Sequence, residues 1–146
     1  MLATLVQHVD EAVPLASREY VRRLPGRETS RASGRLGQVL EHVAASYADD
    51  INFRDACDLA AMTPAAFSRF FHRHTGRTFT RYVQEVRIGQ ACRRLVETDE
   101  PVTAIAFAVG FLNVAHFNRT FKREKGVTPS EWRRRINELA GLPGGR

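Results

Sequence analysis

The chain contains the same pattern twice. Residues 56–82, which include AAFSRFFHRHTGRT, and residues 106–132, which include VAHFNRTFKREKGVT, superimpose at an offset of 50 positions. Ala56, Phe67, Arg69, Phe71, Arg73, Gly76 and Thr78 then meet Ala106, Phe117, Arg119, Phe121, Arg123, Gly126 and Thr128. Ala60 meets Gly110, Met62 meets Leu112, and Tyr82 meets Trp132. A fixed-period repeat means one supersecondary unit used twice, which restricts the fold far more than length does.

Each copy reads as helix, tight turn, helix. In the first, residues 53–60 form a short helix with Ala56, Leu59 and Ala60 directed inward. Thr63 supplies an N-cap oxygen, Pro64 suits the first helical position, and Gly76 suits a left-handed C-cap near Thr75. In the second, residues 102–109 form the short helix and Gly110-Phe111 the turn. Asn113 caps a helix that runs to about Lys125, and Gly126 ends it. Two helices joined by a turn of this length make a helix-turn-helix, whose second helix enters the major groove of DNA.

The second helices carry the sharper signal. At about 100° per residue, Phe70, Phe71 and His74 fall on the side of Phe67 and form an apolar stripe. Ala65, Ser68, Arg69, His72 and Arg73 fall opposite. In the second copy Phe117 and Phe121 point inward. Ala115, Asn118, Arg119 and Lys122 point outward, flanked by His116 and Arg123. Arginine makes bidentate contacts to guanine, asparagine does so to adenine, and small residues let a helix approach the base edges. An ordinary solvated face has the same composition, but here the asymmetry recurs at the same offset.

Charge placement agrees with a polyanionic partner. The formal net charge is +6 and the pI about 10.1. Residues 64–94 hold seven arginines and one acid, Glu85. Acids gather at Asp49, Asp50, Asp55 and Asp58, and again at Glu97, Asp99 and Glu100. No apolar run is long enough to span a bilayer, and residues 1–13 lack the positive start and unbroken core of a signal peptide. No membrane association and a cytoplasmic location are the resulting expectations. Cys57 and Cys92 make neither a zinc pattern nor a disulfide framework and read as core fillers. His72 and His74, two apart on a helix, point to different sides and make no metal pair. No phosphate loop, HExxH or nucleophile elbow is present, so no enzymatic activity, metal or cofactor is expected.

Around the repeat, Leu2, Leu5, Val6, Val9 and Val13 give residues 1–24 a short amphipathic helix, and residues 24–34 read as a linker. A helix over residues 35–47 presents Leu36, Val39, Leu40 and Val43 to the first unit. Between the units, Thr78 caps a helix running to about Thr98, and Pro101 opens the next. Its apolar stripe changes side: Phe79, Tyr82, Val83 and Val86 first, then Ile88, Ala91, Cys92 and Leu95 roughly opposite. About 20 residues span roughly 30 Å, close to the ~34 Å of one DNA turn, long enough to place two recognition helices in successive major grooves. Arg81 and Gln84 should then not be deeply buried. Thr128-Pro-Ser-Glu131 is a capping box. Trp132 and Ile136 follow inward and Arg133, Arg134 and Arg135 outward, against phosphate or solvent. Residues 139–146 read as a disordered tail.

These residues resemble the DNA-binding domain of AraC/XylS-type transcriptional regulators. The likeness rests on MTPAAFSRFFHRHTGRTFTRYVQEVRIGQACRRL followed by PVTAIAFAVGFLNVAHFNRTFKREKGVTPSEWR, and covers roughly 100 residues in family order and spacing. It implies an all-α, homeodomain-like fold of about seven helices. The boundaries are residues 35–138, with subdomain one at 35–77, a long linker helix at 78–98 and subdomain two at 99–138. It also implies a bacterial, promoter-binding activator of transcription whose partners are double-stranded DNA and RNA polymerase subunits. The family's base-reading positions fall on Ala65, Ser68 and Arg69, then on Val114, Ala115, His116 and Arg119. Val114 and Ala115 stand where polar side chains are frequent, so unit two reads thymine methyls or relies on backbone contacts. Ala65 leaves Ser68 and Arg69 as the main readers of unit one. Most members carry an effector-binding domain ahead of this one. Residues 1–34, with PLASREY before a polar linker, resemble its tail, so the sensor and its dimer contacts are expected to be missing.

Two other functions fit the basic charge. One is a nonspecific, architectural or RNA binder; the other is a protein-interaction module that modulates a full-length regulator. Phosphate contacts alone give affinity without discrimination, so sequence preference at matched salt separates the first from a specific regulator.

Overall fold

The computed structural model describes residues 28–141. The described residues form seven helices and no strand: α1 (Glu28–Ser46), α2 (Phe53–Leu59), α3 (Pro64–Thr75), α4 (Phe79–Glu97), α5 (Val102–Ala108), α6 (Val114–Lys125) and α7 (Pro129–Leu139). The all-α expectation holds. The chain divides between Val86 and Arg87, inside α4, into two compact units, each built around one helix-turn-helix.

Unit one closes on α1–α3 and the first half of α4. Leu36, Val39, Leu40 and Val43 of α1 are buried, as are Ala56, Cys57 and Ala60 at α2. Against them stands a group of aromatic rings. Phe67 lies 5.4 Å from Phe53 and 5.7 Å from Phe79, both edge-on, and Phe71 lies 5.5 Å from Phe79 and 5.6 Å from Tyr82. Edge-to-face contacts add to the burial of large apolar areas. Asn52 caps α2, its side-chain oxygen accepting the Arg54 N–H at 2.9 Å.

Unit two closes on the second half of α4 with α5–α7. Its buried set is Ile88, Ala91, Cys92, Leu95, Ile105, Ala106, Val109, Phe111, Phe117, Phe121 and Ile136. Thus α4 buries its two stripes in the order its periodicity gave, while Arg81 is exposed and Gln84 half-exposed. Thr128 accepts from the Glu131 N–H and Glu131 returns the bond to the Thr128 N–H, so the capping box is formed.

Several expectations are corrected. The helix of unit one begins at Glu28, so residues 28–34 are helical and not a linker. Once the buried stripe of α1 has nucleated a helix, adding residues at its end is inexpensive, and Gly34 is tolerated at a cost of about 1 kcal/mol. Leu59 is 41% exposed, and Cys57 takes the inward place assigned to it. Arg133 is half-buried, not outside: its guanidinium donates to the carbonyls of Leu95 (3.1 Å), Thr98 (3.3 Å) and Glu100 (2.7 Å). It satisfies an acceptor in the last turn of α4 and two in the connection that follows. Leu139 ends α7, with Ala140 as C-cap, so these residues are not part of a disordered tail. The proposed helix at residues 1–24 and the tail at 142–146 lie outside the described residues.

The repeat also has a different register in its first half. In unit one Ala60, Ala61 and Met62 donate to the carbonyls of Ala56, Asp58 and Cys57; in unit two Val109, Gly110 and Phe111 donate to those of Ile105, Phe107 and Ala106. The first helices and turns therefore match at an offset of 49, with Ala61 on Gly110 and Met62 on Phe111. Both turn residues have positive φ, 53° at Ala61 and 103° at Gly110. The caps Thr63 and Asn113 restore the offset of 50. Leu112 is an extra residue in the second turn.

Candidate nucleic-acid interface

Helix α3 starts where the Thr63 hydroxyl accepts the Ala66 N–H at 3.3 Å, with Pro64 at the first helical position. It ends at Gly76, whose φ of 71° is the left-handed conformation that glycine adopts without steric cost. Phe67 and Phe71 pin one side in the core; Phe70 and His74 are half-buried and meet edge-on at 4.6 Å. Burial, together with neighbouring Arg73, holds the His74 imidazole below its ordinary pKa. The opposite side presents Ala65, Ser68, Arg69, His72 and Arg73, all exposed.

Helix α6 starts where the Asn113 side chain accepts the His116 N–H at 3.0 Å and ends at Gly126. Phe117 and Phe121 are fully buried. Ala115, His116, Asn118, Arg119, Lys122 and Arg123 are exposed, whereas Val114 is half-buried and presents only part of its side chain. His116 stands edge-on to Phe111 at 5.5 Å, which restricts its ring.

Ion pairing sorts the cations. Glu85 takes both Arg77 and Arg81, Arg93 pairs with Glu97, and Arg94 with Glu100. On α6, Arg123 pairs with Glu124 at 3.0 Å. Among the described residues, no ion pair holds Arg69, Arg73, Arg119 or Lys122. The basic cluster of residues 64–94 is thus largely paired away from α3, whereas Arg69 and Arg73 on α3 and Arg119 and Lys122 on α6 are left uncompensated. Such side chains can bind phosphate or base edges without first breaking an internal pair.

Buried thiols complete the inventory. Desolvation pushes Cys92 up to about 12 and raises Cys57 as well, so neither is a ready nucleophile. Among the described residues no group of histidine, cysteine or carboxylate side chains could hold a metal ion, and no helix is long and apolar enough to cross a membrane. Sequence reasoning missed Asn52 as a cap and Arg133 as an internal donor. An asparagine directly before the first residue of α2 signals the first; three arginines in a row conceal the second.

Comparison with known proteins bears on what these faces do. A family model described as a helix-turn-helix domain matches residues 56–135. The chain is 32% identical over 133 residues to the transcriptional activator RhrA of Rhizobium meliloti (strain 1021), covering 89% of this chain and 41% of that protein. It is 32% identical over 99 residues to the HTH-type transcriptional activator RhaS of Enterobacter sp. (strain 638), covering 68% of this chain and 36% of that one. The chain therefore spans well under half the length of these relatives. Among solved structures it resembles a probable AraC family transcriptional regulator from Rhodopseudomonas palustris CGA009. That likeness has 28% identity and a TM-score of 0.66, and covers 71% of this chain and 98% of that one.

Proposed function

The chain belongs to the AraC/XylS family of transcriptional regulators, and from that premise we propose that it binds double-stranded DNA sequence-specifically to regulate transcription. Helices α3 and α6 each enter a major groove. Arg69 and Arg119 are the principal base readers, and Ser68 and Asn118 are further polar readers. His72, Arg73, His116, Lys122 and Arg123 lie within reach of the backbone or of flanking bases. The observation that carries this proposal is the pair of outward faces on which exposed Arg69, Arg73, Arg119 and Lys122 have no ion pair among the described residues, while Arg77, Arg81, Arg93 and Arg94 of the same basic stretch are paired. Activation, as in RhaS and RhrA, is the expected direction of regulation. Further partners would be RNA polymerase subunits and, through a domain ahead of this one, a second copy. The compartment would be the cytoplasm.

The test is selection of bound duplexes from a random pool at near-physiological salt. Two short elements at one fixed spacing are expected. A single element would leave one unit as a backbone clamp. Absence of any enrichment, with binding that disappears as salt rises, would replace specific regulation with nonspecific binding. On the selected duplex, Arg119→Ala should cost about 1–3 kcal/mol at one base position; an equal loss on every sequence would mark a phosphate contact.

A further inference from the structure

Leu112 is 92% exposed, more than any other large apolar residue among those described. It is the extra residue in the second turn, immediately before the cap of α6. Unit one has no counterpart: its turn passes from Ala61 through half-buried Met62 directly to Thr63. Nothing in the turn geometry calls for leucine there, because the side chain packs on nothing and any polar residue would occupy the same backbone. The surrounding chemistry is also unusual for a basic interface. Asn113 commits its side-chain oxygen to the cap, at 3.0 Å from the His116 nitrogen. Val114 and Ala115 are short and uncharged. The first two residues of α6 are therefore apolar, whereas exposed His116, Asn118, Arg119 and Lys122 follow.

The leading end of a recognition helix is the part that meets base edges. The only apolar group on those edges in the major groove is the 5-methyl of thymine. We propose that Leu112 is a specificity-determining residue of unit two that reads a thymine methyl, extending the reach of a helix whose first residues are too short to do so. Uncompensated Arg119 and Lys122 on the same helix favour DNA, rather than a protein, as what covers this side chain.

This inference rests on the DNA-binding function proposed above, and the experiment separates the two. On the duplex selected from the random pool, each thymine is replaced in turn by deoxyuridine, which pairs identically and lacks only the methyl. Affinities are measured for the parent, Leu112→Ala and Leu112→Met. The parent should lose about three- to fivefold at one thymine, as expected for one apolar methyl leaving a contact. Leu112→Ala should be insensitive to the same replacement, with unchanged melting because the side chain is exposed, and Leu112→Met should restore the sensitivity. Full sensitivity in Leu112→Ala would assign the methyl to Val114 or Ala115 and overturn the proposal. So would insensitivity of the parent at every thymine, equal loss by Leu112→Ala on all duplexes, or no effect of that substitution on DNA binding. If no duplex is enriched at all, it is the DNA-binding function that fails.

Discussion

Position by position, Phe70 of unit one corresponds to Thr120 of unit two, His74 to Glu124, Thr75 to Lys125 and Val83 to Arg133, while Phe67, Arg69 and Phe71 correspond to Phe117, Arg119 and Phe121. What is kept is the side of the helix aimed outward and the two rings that orient it. What changes is the way each helix is held. Unit one ends α3 with Thr75, buried, donating to the Phe71 carbonyl at 2.7 Å, and closes with Phe53, Phe67, Phe71, Phe79 and Tyr82. Unit two places Lys125 over the Trp132 ring at 5.6 Å and closes with the Arg133 guanidinium. Recognition constrains a few outward positions, and the supporting core is free to be aromatic in one copy and partly polar in the other.

The comparison can be broken most forcefully at the shared rings. Phe67→Ala and Phe117→Ala should each cost about 3–5 kcal/mol by opening a cavity. The loss should be larger for Phe67, which touches Phe53, Phe71 and Phe79, than for Phe117, which touches Phe111 and Phe121. Denaturant melts of the two variants decide it; equal losses would mean that the extra edge-on contacts contribute nothing.

Next comes the feature that unit one lacks. Arg133→Ala removes charge-assisted bonds to three carbonyls and should destabilise unit two by about 1.5–3 kcal/mol. Arg134→Ala should change little, since that side chain is exposed and its partner Glu138 is 3.9 Å away. Trp132, the only tryptophan, makes fluorescence a direct monitor of unit two. A smaller effect is expected at the turns. Gly110→Ala should cost about 1–2 kcal/mol, because its φ of 103° lies where an L side chain is strained. Ala61→Gly relieves a similar strain at φ 53° but frees the unfolded chain, so its melting temperature should hardly move.

The smallest expected difference is in pH response. The folded pKa of His74 is depressed, so its contribution is complete above the unfolded value of about 6.5 and declines as pH falls below it. The Glu131 carboxylate is held low chiefly by the Thr128 N–H, so its contribution is complete above about 4.3 and is lost only at lower pH. Unit one should therefore begin to soften at a higher pH than unit two. Amide exchange in α3 and α6 at pH 7.5, 5.5 and 4 checks the order, and His74→Gln should erase the early step.

Legibility in the sequence followed physical locality. Caps at Thr63, Asn113 and Thr128, the stops at Gly76 and Gly126, and the outward sets on α3 and α6 depend on neighbours within one or two turns of helix, and periodicity exposes them. Val114 shows the limit, since a position near the edge of the face turns out half-buried. Arg133 was not legible because its acceptors lie 33–38 residues away. The slip in register was hidden because alanine and glycine fill both copies of the turn, and matching Gly110 to Ala60 conceals that the positive-φ partner is Ala61. Leu112, aligned on Met62, then did not stand out as an extra residue of the turn.

The bonds made by Arg133 also bear on motion. They join Leu95, at the end of α4, to the first turns of α7, so α5 and α6 lie inside a segment cinched at both ends. Fraying of α7 that reaches Arg133 uncovers the carbonyls of Leu95, Thr98 and Glu100, and unwinding there releases α7. Transient opening of this half should thus occur as one cooperative event, with α5, α6 and α7 sharing a common protection factor, instead of peeling inward from the C-terminus.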